Sequence, residues 1–407
     1  MSHKCFPIPL ISIVFTTLAS TAHAEPPQAP ADVKPLVESN TAFALALYKQ
    51  LQTDEGNLFL SPVSVSTALS MTYAGARGET ATEMAQVLRF KLEPAQLHPT
   101  FTALLDTLNA QANQLGCHLH LANALWAHHD YPFLPEFLTL GQTHYHARLE
   151  NLDFVEAVEQ ARGTINTWTA EQTAGKITEL IPPKILGRTT KLVLTNAVYF
   201  KGQWKLQFDP DATVPGPFTR GIGQTVESPF MHQSAEFGYL ETPDLQILEL
   251  PYSGETLRMV VLLPRQIDGL PALEKALSPS QLNSWLSSLQ QRKVILDLPR
   301  FRLRSAIRLD ETLKKMGMPL AFDARRADFS GMDGTRLLYI GAILHQTYVD
   351  VNEEGTEAAG ATAVVQKMRV AIEPTPHFQA NHPFLFLIRD TQTGSILFMG
   401  RLADPTL

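Results

Sequence analysis

The sequence predicts an α+β fold, because helical spacing comes first along the chain and antiparallel strands with short turns dominate later. No Pro/Gly/Ser linker and no internal repeat divides the chain, so residues 36–407 are expected to form a single large mixed domain. Residues 33–52 carry Leu36, Phe43, Leu47 and Leu51 at helical spacing. Leu58-Phe59-Leu60 is a short apolar strand, and Ser61-Pro62 then opens a helix in which Val65, Ala68, Leu69 and Thr72 recur. Ser suits the cap of that helix and Pro its first turn. Gly75 and Gly78 end it, and residues 79–88 and 101–114 are further helices. Residues 118–126 alternate as a strand, with Leu119, Leu121, Ala124 and Leu125 apolar. Residues 155–173 form an amphipathic helix around Ile165 and Trp168, and 192–200 are apolar, as in a strand buried on both faces. Residues 218–263 are mostly strands, 271–289 a helix, 293–303 a strand and 309–316 a short helix. Near the end, 384–388 and 396–400 are strands joined by Asp390-Thr391-Gln392-Thr393-Gly394, a hairpin signal.

The first 24 residues have the pattern of an export signal: Lys4, an apolar run from Pro9 to Leu18, and Ala22-His23-Ala24 as a small-x-small cleavage site. That run is too short for a membrane anchor. Residues 25–35, rich in proline, are expected to be a flexible leader. With 33 Lys+Arg against 40 Asp+Glu the chain is acidic, which disfavours a nucleic-acid partner. Removing the signal leaves Cys117 as the single cysteine, so no intramolecular disulfide is possible. There is no Asn-x-Ser/Thr acceptor. Together these features point to a protein secreted or exported to a periplasm, and weakly to a bacterial source.

The stretch Asn352-Glu353-Glu354-Gly355-Thr356-Glu357-Ala358-Ala359-Gly360-Ala361-Thr362-Ala363-Val364 is the most informative in the chain. Its small side chains cannot anchor a loop to a core, and Pro374 and Pro376 keep its far end out of regular helix. It reads as an exposed, protease-accessible connection. Yet a period of two puts Thr356, Ala358, Gly360, Thr362 and Val364 on one uncharged face. A segment that suits both a loop and a buried strand suggests a switch.

Four separated motifs then resemble one family. Asn57-Leu58-Phe59-Leu60-Ser61-Pro62-Val63-Ser64, the run Thr195-Asn196-Ala197-Val198-Tyr199-Phe200-Lys201-Gly202-Gln203-Trp204, the hinge from Val351 to Ala359, and Asn381-His382-Pro383-Phe384 with Phe398-Met399-Gly400-Arg401 are similar to the serpins, in order, from about residue 41 to 405. The resemblance implies three β-sheets surrounded by eight or nine helices, with an exposed reactive-centre loop. It implies a metastable, monomeric suicide inhibitor that needs no cofactor and captures a target serine protease covalently. The 356–368 loop would enter the central sheet as an extra strand once cut, a mechanism that general physical accounts already cite for serpins. The hinge residues carried over are Glu353, Gly355, Thr356, Ala358, Ala359, Gly360, Ala361 and Thr362. The scissile bond usually follows the sixteenth residue after the hinge glutamate, which places it between Arg369 and Val370 and implies a trypsin-like partner. Ser64, Asn196 and His345 resemble a sheet-opening cluster, Arg300 a partner pinning Glu353, and Trp204 the tryptophan where insertion begins.

Other classes fit less well. No nucleophile-elbow, zincin, Walker or dinucleotide fingerprint occurs, so no catalytic residues are assigned. Histidines are dense from His118 to His146, but alternation also puts such residues on a solvated sheet face, and no metal is expected. The serious rival is a non-inhibitory serpin: a substrate, carrier or chaperone.

Overall fold

Pro35 sits in the first turn of α1 (Lys34–Leu51), where its missing N–H costs no helical bond. Lys34 and Pro35, which fell both in the expected 25–35 leader and in the 33–52 helical span, belong to the helix, and Val33 before it is already buried. The computed structural model describes residues 33–52, 56–112, 116–129, 131–188, 190, 192–220, 223–356 and 375–406. The expected signal, the reactive bond Arg369–Val370, and the hinge residues Ala358, Ala359, Gly360, Ala361 and Thr362 lie outside these residues.

After α1 come β1 (Leu58–Leu60), α2 (Pro62–Tyr73), α3 (Gly78–Val87), α4 (Pro94–Ala112), β2 (Cys117–His128), α5 (Pro135–Tyr145), β3 (Arg148–Leu152), α6 (Val158–Gln172) and β4 (Leu192–Gln203). Strands β5 (Val214–Thr219), β6 (Thr225–Glu241), β7 (Leu245–Pro251) and β8 (Leu257–Pro264) follow, then α7 (Leu270–Ala276) and α8 (Pro279–Ser287). The chain ends with β9 (Gln290–Pro299), β10 (Phe301–Arg308), α9 (Asp310–Met316), α10 (Ser330–Asp333), β11 (Ile343–Asn352), β12 (Gly355–Thr356), β13 (His377–Gln379), β14 (Phe384–Asp390) and β15 (Ile396–Leu402).

Two spans expected as single elements are each broken. The 271–289 helix divides at Leu277-Ser278-Pro279, because Ser278 turns extended and accepts the Gln281 N–H to cap a new helix with Pro279 in its first turn. The 293–303 strand divides at Arg300: β9 ends in one sheet, Arg300 donates its N–H to Pro229 O, and β10 starts in the other. Arg300 thus stands at a corner between sheets.

The expected mixture of helices and sheets is present, with ten α-helices among the described residues rather than eight or nine. One sheet of six strands runs β10-β11-β12-β4-β2-β3. The other two expected sheets share one ladder, β1-β15-β14-β8-β7-β6-β9-β13 with β5 on β6. They join because β6, 17 residues long, pairs β5 with its first half and β7 with its last residues, while β9 lies along most of it.

Helix α2 is buried almost all round, although it carries five serine and threonine residues. That burial is tolerable because Thr67, Ser70 and Thr72 donate to carbonyls four residues back and Ser66 donates to Asn40 Oδ1. Ser61, expected as a side-chain cap, makes no cap bond; its Oγ donates instead to Leu397 O. Alternate residues of β4 face two cores. Leu194, Val198 and Phe200 join the main core, while Val193 and Ala197 pack in a smaller cluster with Trp126 and Trp168 of α6.

Candidate functional site

The six-stranded sheet is incomplete at its centre, and the gap is what the hinge residues address. β11 and β4 run parallel and pair directly from Ile343–Leu194 to Tyr348–Tyr199. Above that point they part, and β12 lies between them, antiparallel to both: Thr356 opposes Val351 and Gly202, and Gly355 opposes Asn352 and Gln203. The chain leaves β11, turns through Glu353 and Glu354, and re-enters its own sheet.

Close approach explains the glycines here. A Cβ on Gly355 would sit 2.0 Å from Gly202 O, and one on Gly202 would meet the Phe200 and Tyr252 rings within 2.8 Å. Thr356 is fully buried, and its Oγ1 lies 2.8 Å from the Tyr252 hydroxyl. Of the uncharged face read from the sequence, Thr356 is the residue that lies among those described.

Trp204 follows β4 and frames the mouth of the gap. Its indole stacks on Tyr252 with centroids 4.6 Å apart, and Nε1 donates to Asn352 O at 2.9 Å. Its backbone N–H donates to Glu354 O, and the Phe208 N–H donates to Glu353 O, both at 2.9 Å. Beside it, the buried Glu353 carboxylate accepts from Arg300 Nε (2.5 Å) and from the Thr213 hydroxyl. The sheet corner at Arg300 is what brings that guanidinium to the turn. Thr213 had no signal in the sequence, since it comes from a short turn far from either partner.

Below the mouth, Ser64, Asn196 and His345 meet in one buried network. Asn196 Nδ2 donates to Ser64 O (3.0 Å), to Ser64 Oγ, and to Asn123 Oδ1 (2.8 Å). His345 Nε2 accepts the Ser61 N–H (2.9 Å), so its Nδ1–H donates to Asn196 Oδ1 (2.9 Å). Full burial lowers the His345 pKa to about 3, which keeps the ring neutral. Asn123, Asn196 and His345 are cross-strand neighbours on β2, β4 and β11. Sequence reasoning missed Asn123; its signal was a polar residue in the alternating series Cys117, Leu119, Leu121, Asn123, Leu125.

No catalytic set arises from these groups. His345 lies against Asn196 with both ring nitrogens engaged, and Ser64 sits inside α2. Burial pushes the Cys117 thiol up to about 11, which leaves it an inert donor to Ser253 O. His118 and His120 project from the exposed side of β2, while His144 meets Thr102 and His146 meets Asp106.

The family model of the serpins (serine protease inhibitors) matches residues 38–405. The chain is 42% identical over 382 residues to the leukocyte elastase inhibitor of Bos taurus, covering 91% of this chain and 99% of that protein. It is 42% identical over 375 residues to human Serpin B8, covering 91% and 99%. Among solved structures it resembles human thyroxine-binding globulin complexed with thyroxine, with a TM-score of 0.84 at 31% identity, covering 93% of this chain and all of that one. These relatives are animal proteins and lend the expected bacterial source no support. The chain belongs to the serpin family of serine protease inhibitors, and is a protease inhibitor rather than an enzyme.

Proposed function

We propose that this chain is a suicide inhibitor of trypsin-like serine proteases, cut between Arg369 and Val370. In this reading it is exported to a periplasm or the extracellular space after loss of residues 1–24, and acts as a monomer without a cofactor. The observation that carries the inhibitory reading is β12: Gly355 and Thr356, the first residues of the hinge after its glutamates, lie as a strand in the mouth of the central gap. Protease attack on the Arg369 carbonyl would form an ester with the catalytic serine and release Val370 as a free amine. The freed loop would then continue the register that β12 begins.

That register makes a specific demand. Six residues past Thr356, Thr362 would stand opposite both His345 and Asn196, replacing their direct hydrogen bond. Its hydroxyl suits that exchange, since it both donates and accepts. The 12 residues of β4 would be matched from Gly355 to Gln366, leaving the loop's last three residues before the cut below the sheet. A strand of that length spans roughly 40 Å, at about 3.3 Å per residue.

Incubating the mature protein with trypsin tests the proposal. A covalent band stable to denaturation, with a new amino terminus at Val370, is expected. Cleavage without a complex would refute inhibition of trypsin-like enzymes. The name of the Bos taurus relative favours a second reading, an elastase-like target. A complex with elastase and none with trypsin would replace the first reading by that one.

A further inference from the structure

The far end of β2, away from the hinge, holds a group of side chains that inhibition does not use. β2 and β3 are parallel with His128 opposite Leu152, and His129 donates its N–H to Leu152 O at 3.1 Å. Both strands therefore end at one level, and His128, His129 and Asp153 emerge together. One ligand atom from each lies within 4.8 Å of the other two. The imidazoles are edge-to-face with centroids 4.7 Å apart.

The carboxylate is already oriented. Asp153 Oδ1 accepts the N–H groups of Val155 (2.8 Å) and Glu156 (2.9 Å), which fixes the carboxylate beside the two imidazoles. Those backbone bonds, Glu156 first, hold its pKa below the usual carboxylate range, and both imidazoles add to the effect. Phe154 N–H reaches His128 Nδ1 at 3.3 Å, a long bond that an ion on that nitrogen would displace.

We propose that His128, His129 and Asp153 form a binding site for a divalent transition-metal ion of the zinc class. Two imidazoles and one carboxylate suit Zn²⁺ with water completing its shell, and disfavour Mg²⁺ and Ca²⁺, which take oxygen ligands. The donor set resembles no structural four-ligand site, so the ion would remain open to solvent. It would tie the end of β2 to the segment that leads into α6, the helix packed over the central sheet through Trp126 and Trp168.

The test is calorimetric titration of the tag-free mature protein with ZnCl₂ in a non-coordinating buffer, followed by thermal melting with and without the ion. One saturable site and a raised melting temperature are expected. His129→Ala and Asp153→Asn should each weaken binding at least tenfold; the Asn keeps the acceptor for the Val155 and Glu156 N–H groups, so the local turn survives. A variant carrying both His118→Ala and His120→Ala, which removes the exposed pair higher on β2, should bind as the parent does. No saturable binding, binding undiminished in His129→Ala and Asp153→Asn, or binding lost with His118 and His120 would each overturn the assignment.

Discussion

The upper and lower halves of the gap between β11 and β4 are built from the same two strands, yet they hold different things. Above, the strands are separated and β12 supplies hydrogen bonds to both, with Gly355 pressed against the Gly202 carbonyl and Thr356 against Tyr252. Below, the strands pair with each other, and behind them His345, Asn196, Asn123 and Ser64 satisfy one another out of contact with water. The upper half selects by size and charge, since whatever enters must fit beside a glycine and an aromatic ring. The lower half selects by hydrogen bonding, since opening it exposes buried donors and acceptors that each cost about 1–3 kcal/mol if left unpaired.

Size and charge at the mouth give the largest expected effect. Thr356→Arg would place a guanidinium where a fully buried side chain now lies, at a cost of several kcal/mol. It should abolish covalent complex formation and leave only cleaved chain on a denaturing gel. Trapping with unchanged stoichiometry would show that Thr356 does not lead the inserting face.

Acid should act on the lower half and spare the upper. Because burial lowers the His345 pKa to about 3 from an ordinary 6.5, the neutral ring contributes stability above pH 6.5, and this is lost as pH falls towards about 3. The full contribution is on the order of 5 kcal/mol. His98, held at about 4 by burial and by His144, adds loss of the same sign from the α4–α5 interface. The comparison is therefore between the parent and His345→Gln, whose amide can accept from Ser61 and donate to Asn196 without titrating. Urea midpoints measured from pH 7 to 4 should fall less steeply for the Gln protein. Parallel curves would place the acid sensitivity elsewhere.

Asn123 is a gentler probe of the same network. Asn123→Ala removes one acceptor from Asn196 Nδ2, which keeps the Ser64 carbonyl, so the loss should be about 1–2 kcal/mol. Chemical denaturation measures it, and a loss under a few tenths would mean that Asn123 contributes little to holding the lower half closed.

What could be read in the sequence follows from how local each signal is. The alternation that buries Thr356 has a period of two and needs no partner, so one strand shows it. Ser64, Asn196 and His345 are 281 positions apart end to end, and only a family resemblance grouped them before the structure did. Asn123 was missed because a lone Asn in an apolar strand has no meaning until β2 is paired with β4. Arg300 hid a sheet corner inside an apparently continuous strand, and Ser278-Pro279 hid a helix break, because apolar periodicity persists across both. His128, His129 and Asp153 meet only through the register of β2 and β3, which no pattern in either strand specifies.

Arg300 sharpens the comparison from the upper side, with the smallest effect. Its side chain is 43% exposed while that of Glu353 is 5% exposed, so solvent screens the pair. Arg300→Ala should cost about 1 kcal/mol, with Thr213 still donating to the carboxylate. The loss should appear locally, because Glu353 O accepts the Phe208 N–H and Glu354 O the Trp204 N–H. Hydrogen exchange at those two amides should quicken several-fold, while amides pairing β11 with β4 below Tyr348 keep their protection. Uniform loosening of both halves would mean that the Arg300–Glu353 pair braces the whole sheet, and the division between a poised mouth and a closed base would not stand. Loosening confined to the mouth would show that the turn can be released without disturbing the hydrogen bonds through which the rest of the loop must pass.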